Sequence, residues 1–256
     1  MSSSLVYLTP PKEGFEAAYI NARKSEGRLY PDEIVRELPW IPADHPQNQE
    51  WRLRQRNVEQ LLVHLDEKKA NSILDLGCGN GWLTHQLLHS GGAGFVLGLD
   101  VNATELEQAQ SLFGNKGCQF AYGDIFKAKL KQAPFDAIVL ASCAQYFPNL
   151  EALLNRLAKL LAPAGEIHLL DTPIYDTDAV AEARERTLQY YEAEGKQAMQ
   201  SFYHHHDWSN LSAFNYELKY NPTTLLNRIR RKLGQSLSPF PWLIISHPLP
   251  NVSAED

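Results

Sequence analysis

Between residues 50 and 172 the apolar positions switch repeatedly between short continuous runs and stripes at helical spacing. Trp51, Val58, Leu61, Leu62 and Leu65 share one helical face and predict a helix over about 48–67, with Arg52, Arg54, Arg56 and Lys68-Lys69 on its solvated side. The run Ile73-Leu-Asp-Leu76 reads as a first buried strand, and Trp82, Leu83, Leu87 and Leu88 open the next helix. Phe95–Asp100 reads as a second strand. Asn102-Ala-Thr-Glu105 then caps a helix whose face is Leu106, Ala109, Leu112 and Phe113 and whose end is Gly114. Cys118–Tyr122 and Phe135–Ala141 are the third and fourth strands. Asn149 caps an amphipathic helix through Leu150, Leu153, Leu154, Leu157, Leu160 and Leu161, stopped by Pro163 and Gly165, and Glu166–Leu170 is the fifth strand.

The flanks are less regular. Residues 1–46 hold Pro10-Pro11, Tyr30-Pro31 and Trp40-Ile-Pro42 as breakers between short helical pieces, and have too little apolar periodicity to fold alone. Beyond Asp171 the pattern predicts a helix over 178–200, a loop over 203–210, a sixth strand at Phe214–Tyr220, a short basic helix from Pro222 to Leu233 closed by Gly234, and a last strand at 240–247. Strand and helix in alternation predict an α/β fold: a doubly wound, mostly parallel seven-stranded sheet with helices on both faces. The expected organisation is a cover segment over 1–46 and a main domain over 47–256, with 172–213 as an insertion. Right-handed crossovers bring the strand C-terminal ends, and with them Asp75, Asp100, Asp124 and Asp171, to one edge of the sheet.

Composition narrows the function classes. Across 256 residues, 24 basic and 30 acidic side chains leave a net charge of −6, so no global field draws nucleic acid or an anionic membrane, and neither is expected as a partner. Cys78, Cys118 and Cys143 show no metal or disulfide spacing, which fits reduced thiols in a cytoplasm, and no metal site is expected. The N-terminus does not read as a signal peptide, and no apolar run approaches the ~20 residues of a membrane span.

The candidate chemistry sits in Asn71-Ser-Ile-Leu-Asp-Leu-Gly-Cys-Gly-Asn-Gly-Trp82, a strand that enters a turn with glycine at 77, 79 and 81 and leaves it as a helix. A dinucleotide fingerprint needs a third glycine where Trp82 stands, and Asp75 would oppose a diphosphate. S-adenosylmethionine, with a sulfonium, an ammonium and one carboxylate, is a cation that tolerates a nearby carboxylate. This segment, with Asp100 and Gly123-Asp124-Ile125, resembles the class I S-adenosylmethionine-dependent methyltransferases over residues 50–172. The resemblance implies cofactor contacts from Asp75, Gly77, Cys78, Gly79 and Gly81 at the turn, from Asp100 and Val101 at the ribose, from Asp124 and Ile125 at the adenine, and from Ser142 beside the methyl group.

It implies methyl transfer by in-line displacement to a small or medium-sized organic acceptor, with residues 1–46 and 172–213 shaping the acceptor pocket. Ser142-Cys-Ala-Gln-Tyr146 occupies the methyl-transfer position and lacks the motifs of the DNA amino- and cytosine-C5 methyltransferases. Tyr146, together with His205 from Tyr203-His-His-His-Asp207, is the candidate for acceptor-side catalysis. Two alternatives stay open in the sequence: a protein that binds the cofactor without turnover, and a nicotinamide-dependent oxidoreductase, which Trp82 disfavours.

Overall fold

The computed structural model of the chain describes residues 4–11 and 14–248. In chain order its strands and α-helices are β1 (Val6–Tyr7), α1 (Phe15–Ser25), α2 (Asp32–Glu37), α3 (Asn48–Glu67), β2 (Ser72–Leu76), α4 (Trp82–His89), β3 (Phe95–Asp100), α5 (Ala103–Phe113), β4 (Cys118–Tyr122), β5 (Phe135–Ala141), α6 (Leu150–Ala158), β6 (Leu161–Leu170), β7 (Ile174–Tyr175), α7 (Val180–Ala193), β8 (His206–Asp207), β9 (Phe214–Tyr220), α8 (Leu225–Lys232) and β10 (Trp242–Pro248). One sheet runs β1-β4-β3-β2-β5-β6-β10-β9. Its ladders are parallel except where β10 pairs β6 and β9. The expected seven strands are present. The eighth, β1, comes from the first ten residues and extends the edge by pairing Val6 with Ala121 and Tyr7 with Tyr122.

A strand covered on both faces must be apolar on both, and β2 shows how the sequence meets that demand. Ile73 packs with Trp51, Leu61 and Leu65 of α3 and Leu83 and Leu87 of α4, while Leu74 and Leu76 face Leu153, Leu154 and Leu157 of α6. These α6 leucines are completely buried. Asn102 and Asn149 accept the backbone N–H groups of Glu105 and Ala152, capping α5 and α6 as their sequence positions predict.

Three element boundaries differ from the pattern. Helix α6 stops at Ala158, because Leu160 and Leu161 belong to the turn and to β6. Phe135 pairs with Leu161 and Ala137 with Glu166, so Ala162 to Gly165 bulge out of the ladder and the Pro163 and Gly165 breakers act inside the strand. The helix predicted over 178–200 ends at Ala193, interrupted by Gly195 at φ +67°, and resumes as a 3-10 turn over Gln197–Phe202. Within the predicted 203–210 loop, His206 and Asp207 pair with Ile174 and Tyr175 as a separate two-stranded ladder.

Glu166 ties β6 to α3. It lies 2.7 Å from His64 Nε2 and accepts from Lys68 Nζ at 2.5 Å. His168 lies beside them, and the ligand atoms of His64, Glu166 and His168 fall within 4.8 Å of one another. Trp242 Nε1 donates to His168 Nδ1 at 3.4 Å, so the ring proton sits on Nε2, which lies 3.6 Å from Glu166 and has no hydrogen-bond partner among the described residues. Burial holds this imidazole neutral, with its pKa lowered to about 3. The cluster therefore acts as a polar staple, since a metal on Nε2 would force a second N–H against Trp242.

Candidate functional site

The glycine turn is fixed by what packs on it. Gly77, Gly79 and Gly81 all have left-handed backbones, at φ +75°, +52° and +78°. A Cβ on Gly77 would stand 2.5 Å from Cys143 Cβ, and one on Gly81 would stand 2.7 Å from Ala109 Cβ. Neither position admits a side chain, so the strand-to-helix turn lies flush against the segment that follows β5 and against α5. The Gly77 N–H donates to Leu99 O, which brings the turn level with the end of β3.

Two carboxylates organise the turn from inside. Asp75 is buried and accepts from Thr84 Oγ1 at 2.6 Å. Burial raises its pKa to about 7; the Thr84 bond opposes the rise and the charge of Asp100 adds to it. Asp100 ends β3 and accepts three backbone N–H groups: Val101 and Asn102 on Oδ1 at 2.6 and 3.0 Å, and Gly79 on Oδ2 at 2.8 Å. Burial still pushes this carboxyl above its ordinary range. The bond to Gly79 joins the β3 end directly to the turn, and each carboxylate oxygen has capacity for two donors.

A cavity of about 230 Å³ opens at the C-terminal ends of the parallel strands. Gly77, Gly79, Asp100, Val101, Asp124, Ile125, Ser142 and Tyr146 line it. Ser142 holds a left-handed backbone, φ +59°, as the chain leaves β5. A smaller polar cavity of about 70 Å³ adjoins it and shares Tyr19, Gly77, Gly79 and Ser142; Cys78 lies there. Asp75 and Gly81 line neither cavity and support the turn from behind. Of the four acids brought to this edge, Asp100 and Asp124 line the larger cavity. Asp171 instead accepts from Asn57 of α3 at 2.6 Å.

His205 is also placed away from the larger cavity. Its Nε2 lies 2.9 Å from Thr187 Oγ1, and its ring packs against Tyr175 and Tyr203. The pairing of β7 with β8 draws the three histidines into separate surroundings, and His206 Nε2 lies 3.0 Å from Ala144 O. Cys143 donates to Leu76 O at 3.0 Å, and burial raises its thiol well above the usual range, so it is a packing residue.

Helix α1 supplies site residues that the sequence pattern did not reveal. Phe15, Tyr19 and Arg23 lie four apart on one face. Phe15 packs its ring 5.6 Å from Tyr146 and 5.4 Å from Phe202, and Tyr19 lies 5.7 Å from Tyr146. Glu16 fixes the helix over the cleft by accepting from Thr104 N and Oγ1, both at 3.0 Å. Half-buried Arg23 donates to Tyr19 OH at 2.9 Å, lies over that ring, and lines the smaller cavity. Among the described residues no carboxylate forms an ion pair with it at 4.0 Å or less. The legible signal was the spacing itself: two aromatics and a cation on one face of a helix with little other apolar pattern.

A family model described as methyltransferase domain matches residues 67–218. An uncharacterized methyltransferase of Mycobacterium tuberculosis is 33% identical over 111 residues, covering 43% of this chain and 55% of that protein. A malonyl-[acyl-carrier protein] O-methyltransferase of Acetivibrio thermocellus is 32% identical over 104 residues, covering 41% and 36%. The chain thus spans about half, or less, of the length of these curated relatives. In fold it is similar to an S-adenosylmethionine-dependent methyltransferase from Mesorhizobium loti, with a TM-score of 0.53 at 23% identity over 78% of this chain and 98% of that one.

Proposed function

Because the chain belongs to the methyltransferase-domain family, with the class I S-adenosylmethionine-dependent fold, we propose that it binds S-adenosylmethionine in the cleft and methylates a small or medium-sized organic acceptor. The observation that carries this reading is the meeting of the bare Gly77–Gly79 backbone, Asp100 and the Asp124-Ile125 pair in one cavity. When bound, the cofactor supplies a methyl group on a positively charged sulfur, open to in-line displacement.

The chain's residues hold and orient. Asp100 keeps one of its four acceptor positions, on Oδ2, for a ligand hydroxyl, and that bond is strong because the acceptor is ionised. Asp124 Oδ1 accepts the Phe126 N–H at 3.0 Å, leaving Oδ2 for an exocyclic amine, and buried Ile125 offers an apolar face to a ring. Gly77 and Gly79 present backbone alone, and Arg23 places a cation beside them for the ligand's carboxylate. We assign 1–46 as cover and 172–213 as acceptor-side insertion, supported by Phe15, Tyr19 and Phe202 on the cavity wall.

That wall is mainly aromatic, so it excludes water and suits an acceptor with a planar or apolar body. Among its described side chains none is placed as a general base. Burial raises the Tyr19 and Tyr146 phenols, and Cys143 is committed to packing. The acceptor therefore brings an atom that is nucleophilic without help, such as a carboxylate oxygen or an amine, and Tyr146 positions it with its hydroxyl. The acidic chain gives no general attraction for nucleic acid. Among the described residues no helix is long and apolar enough to cross a membrane, and the thiols Cys78, Cys118 and Cys143 are free. Free thiols support a reducing, cytoplasmic location.

Incubation with S-adenosylmethionine and a panel of aromatic carboxylates and amines, read as S-adenosylhomocysteine by mass spectrometry, tests the reading. Product formed only with an acceptor present is expected. Cofactor binding without product across the panel would instead show a binding protein.

A further inference from the structure

Helix α8 is amphipathic in the reverse sense. A surface helix ordinarily turns its apolar stripe to the core, yet no residue of α8 is buried. Its protein-facing contacts are polar: Asn227 Nδ2 donates to Asn221 O at 2.7 Å and Arg231 Nη2 to Pro222 O at 2.8 Å. At 3.6 residues per turn, Leu225, Leu226, Ile229 and the following Leu233 fall on the opposite side. They are 74%, 56%, 45% and 75% exposed. Arg228 and Lys232 flank this stripe on one side and Arg230 on the other.

The charge is equally local. The chain as a whole is acidic, but no Asp or Glu occurs between Glu217 and Glu255. Among the described residues none of Arg228, Arg230, Arg231 and Lys232 forms an ion pair. The helix also lies outside the region matched by the family model, residues 67–218. It follows the C-terminal end of β9, where Tyr220 is level with Trp242 at the start of β10. That is the sheet edge on which the cleft opens.

We propose that α8 is a membrane-surface contact, laying Leu225, Leu226, Ile229 and Leu233 into the interface of a bilayer while Arg228, Arg230 and Lys232 meet anionic phospholipid head groups. An exposed apolar row bounded by cations has the form of an interfacial helix, which lies on a membrane without spanning it. A convex, short stripe fits a deformable lipid surface, whereas a protein partner would need a matching groove. A second copy would bring the same cationic rim against itself. The acidic remainder of the chain is repelled by an anionic surface, so binding through α8 also orients the molecule, with the cleft edge toward the lipid. The whole-chain charge, from which no membrane partner is expected, averages this local contrast away.

Flotation of the full chain with phosphatidylcholine vesicles, with and without phosphatidylglycerol, tests the proposal independently of any methyl transfer. Binding is expected with the anionic vesicles and should fall about tenfold without phosphatidylglycerol or at high salt. Leu225→Ser/Leu233→Ser and Arg228→Glu/Arg230→Glu should each lose binding while circular dichroism and cofactor affinity stay at the parent values. Absence of the wild-type chain from anionic vesicles would overturn the proposal, as would binding indifferent to both variants. So would a concentration-dependent dimer in sedimentation that Leu233→Ser dissolves, because a second copy would then be the occupant.

Discussion

Asp75 shows how much of this cleft depends on side chains that stand behind its wall. An unfolded chain releases that carboxyl proton near pH 4, while burial holds it in the folded chain to about pH 7. Between these values the folded state binds the extra proton, so stability is fullest below about pH 4 and is lost as pH rises through about 7. Glu105, also raised to about 7 chiefly by burial, acts in the same direction. Asp75→Asn keeps an oxygen for Thr84 and removes one titration. Thermal unfolding from pH 5 to pH 8 should therefore show a smaller fall in Tm for the variant than for the parent, and equal slopes would remove Asp75 from the account. The place of Asp100 and Asp124 on the cavity wall was legible because a carboxylate at a strand end is a local feature. The withdrawal of Asp171 toward Asn57 was not, because that partner lies 114 positions away in the chain.

Elements between residues 48 and 158 follow the sequence pattern closely, since each carries its own periodicity and its own cap. Those between residues 172 and 213 do not, for reasons visible in the chain. Gly195 interrupts a helix that the apolar spacing continues, and β7 and β8 are two residues each, too short for any alternation to register. His205 was misplaced for the same reason, because its surroundings are set by that brief pairing. Helix α1 is the more instructive case. Its helical form is legible, but its place over the cleft comes from tertiary bonds such as Glu16 to Thr104. From that place follows the proposed role of Arg23 as carboxylate partner. Arg23→Gln should weaken S-adenosylmethionine binding about tenfold or more, the usual scale for a charged hydrogen bond, and leave 5′-methylthioadenosine, which lacks the carboxylate, unaffected. Titration of both ligands separates this outcome from simple damage to α1, which would weaken both.

At the scale of the whole molecule, the sheet does what its topology predicts. Parallel strands deliver their C-terminal ends to one edge, the glycine turn leaves room there, and helices on both faces hold the strands rigid. The seven-stranded core was legible because alternating buried strands and helices permit few arrangements. The added β1 was not, being two residues at an edge. Phe15, Tyr19 and Phe202 line the cleft with aromatic side chains, while α8 leaves its apolar row outside, so one edge carries both the proposed ligand site and the proposed lipid contact. All of this depends on the cleft being a cofactor site. Isothermal titration of S-adenosylmethionine and S-adenosylhomocysteine into the parent chain and Asp100→Ala tests that claim most directly. The parent should bind one equivalent of each, and the variant should bind about 1–3 kcal/mol more weakly. No heat with either ligand, or the same affinity in both proteins, would contradict it.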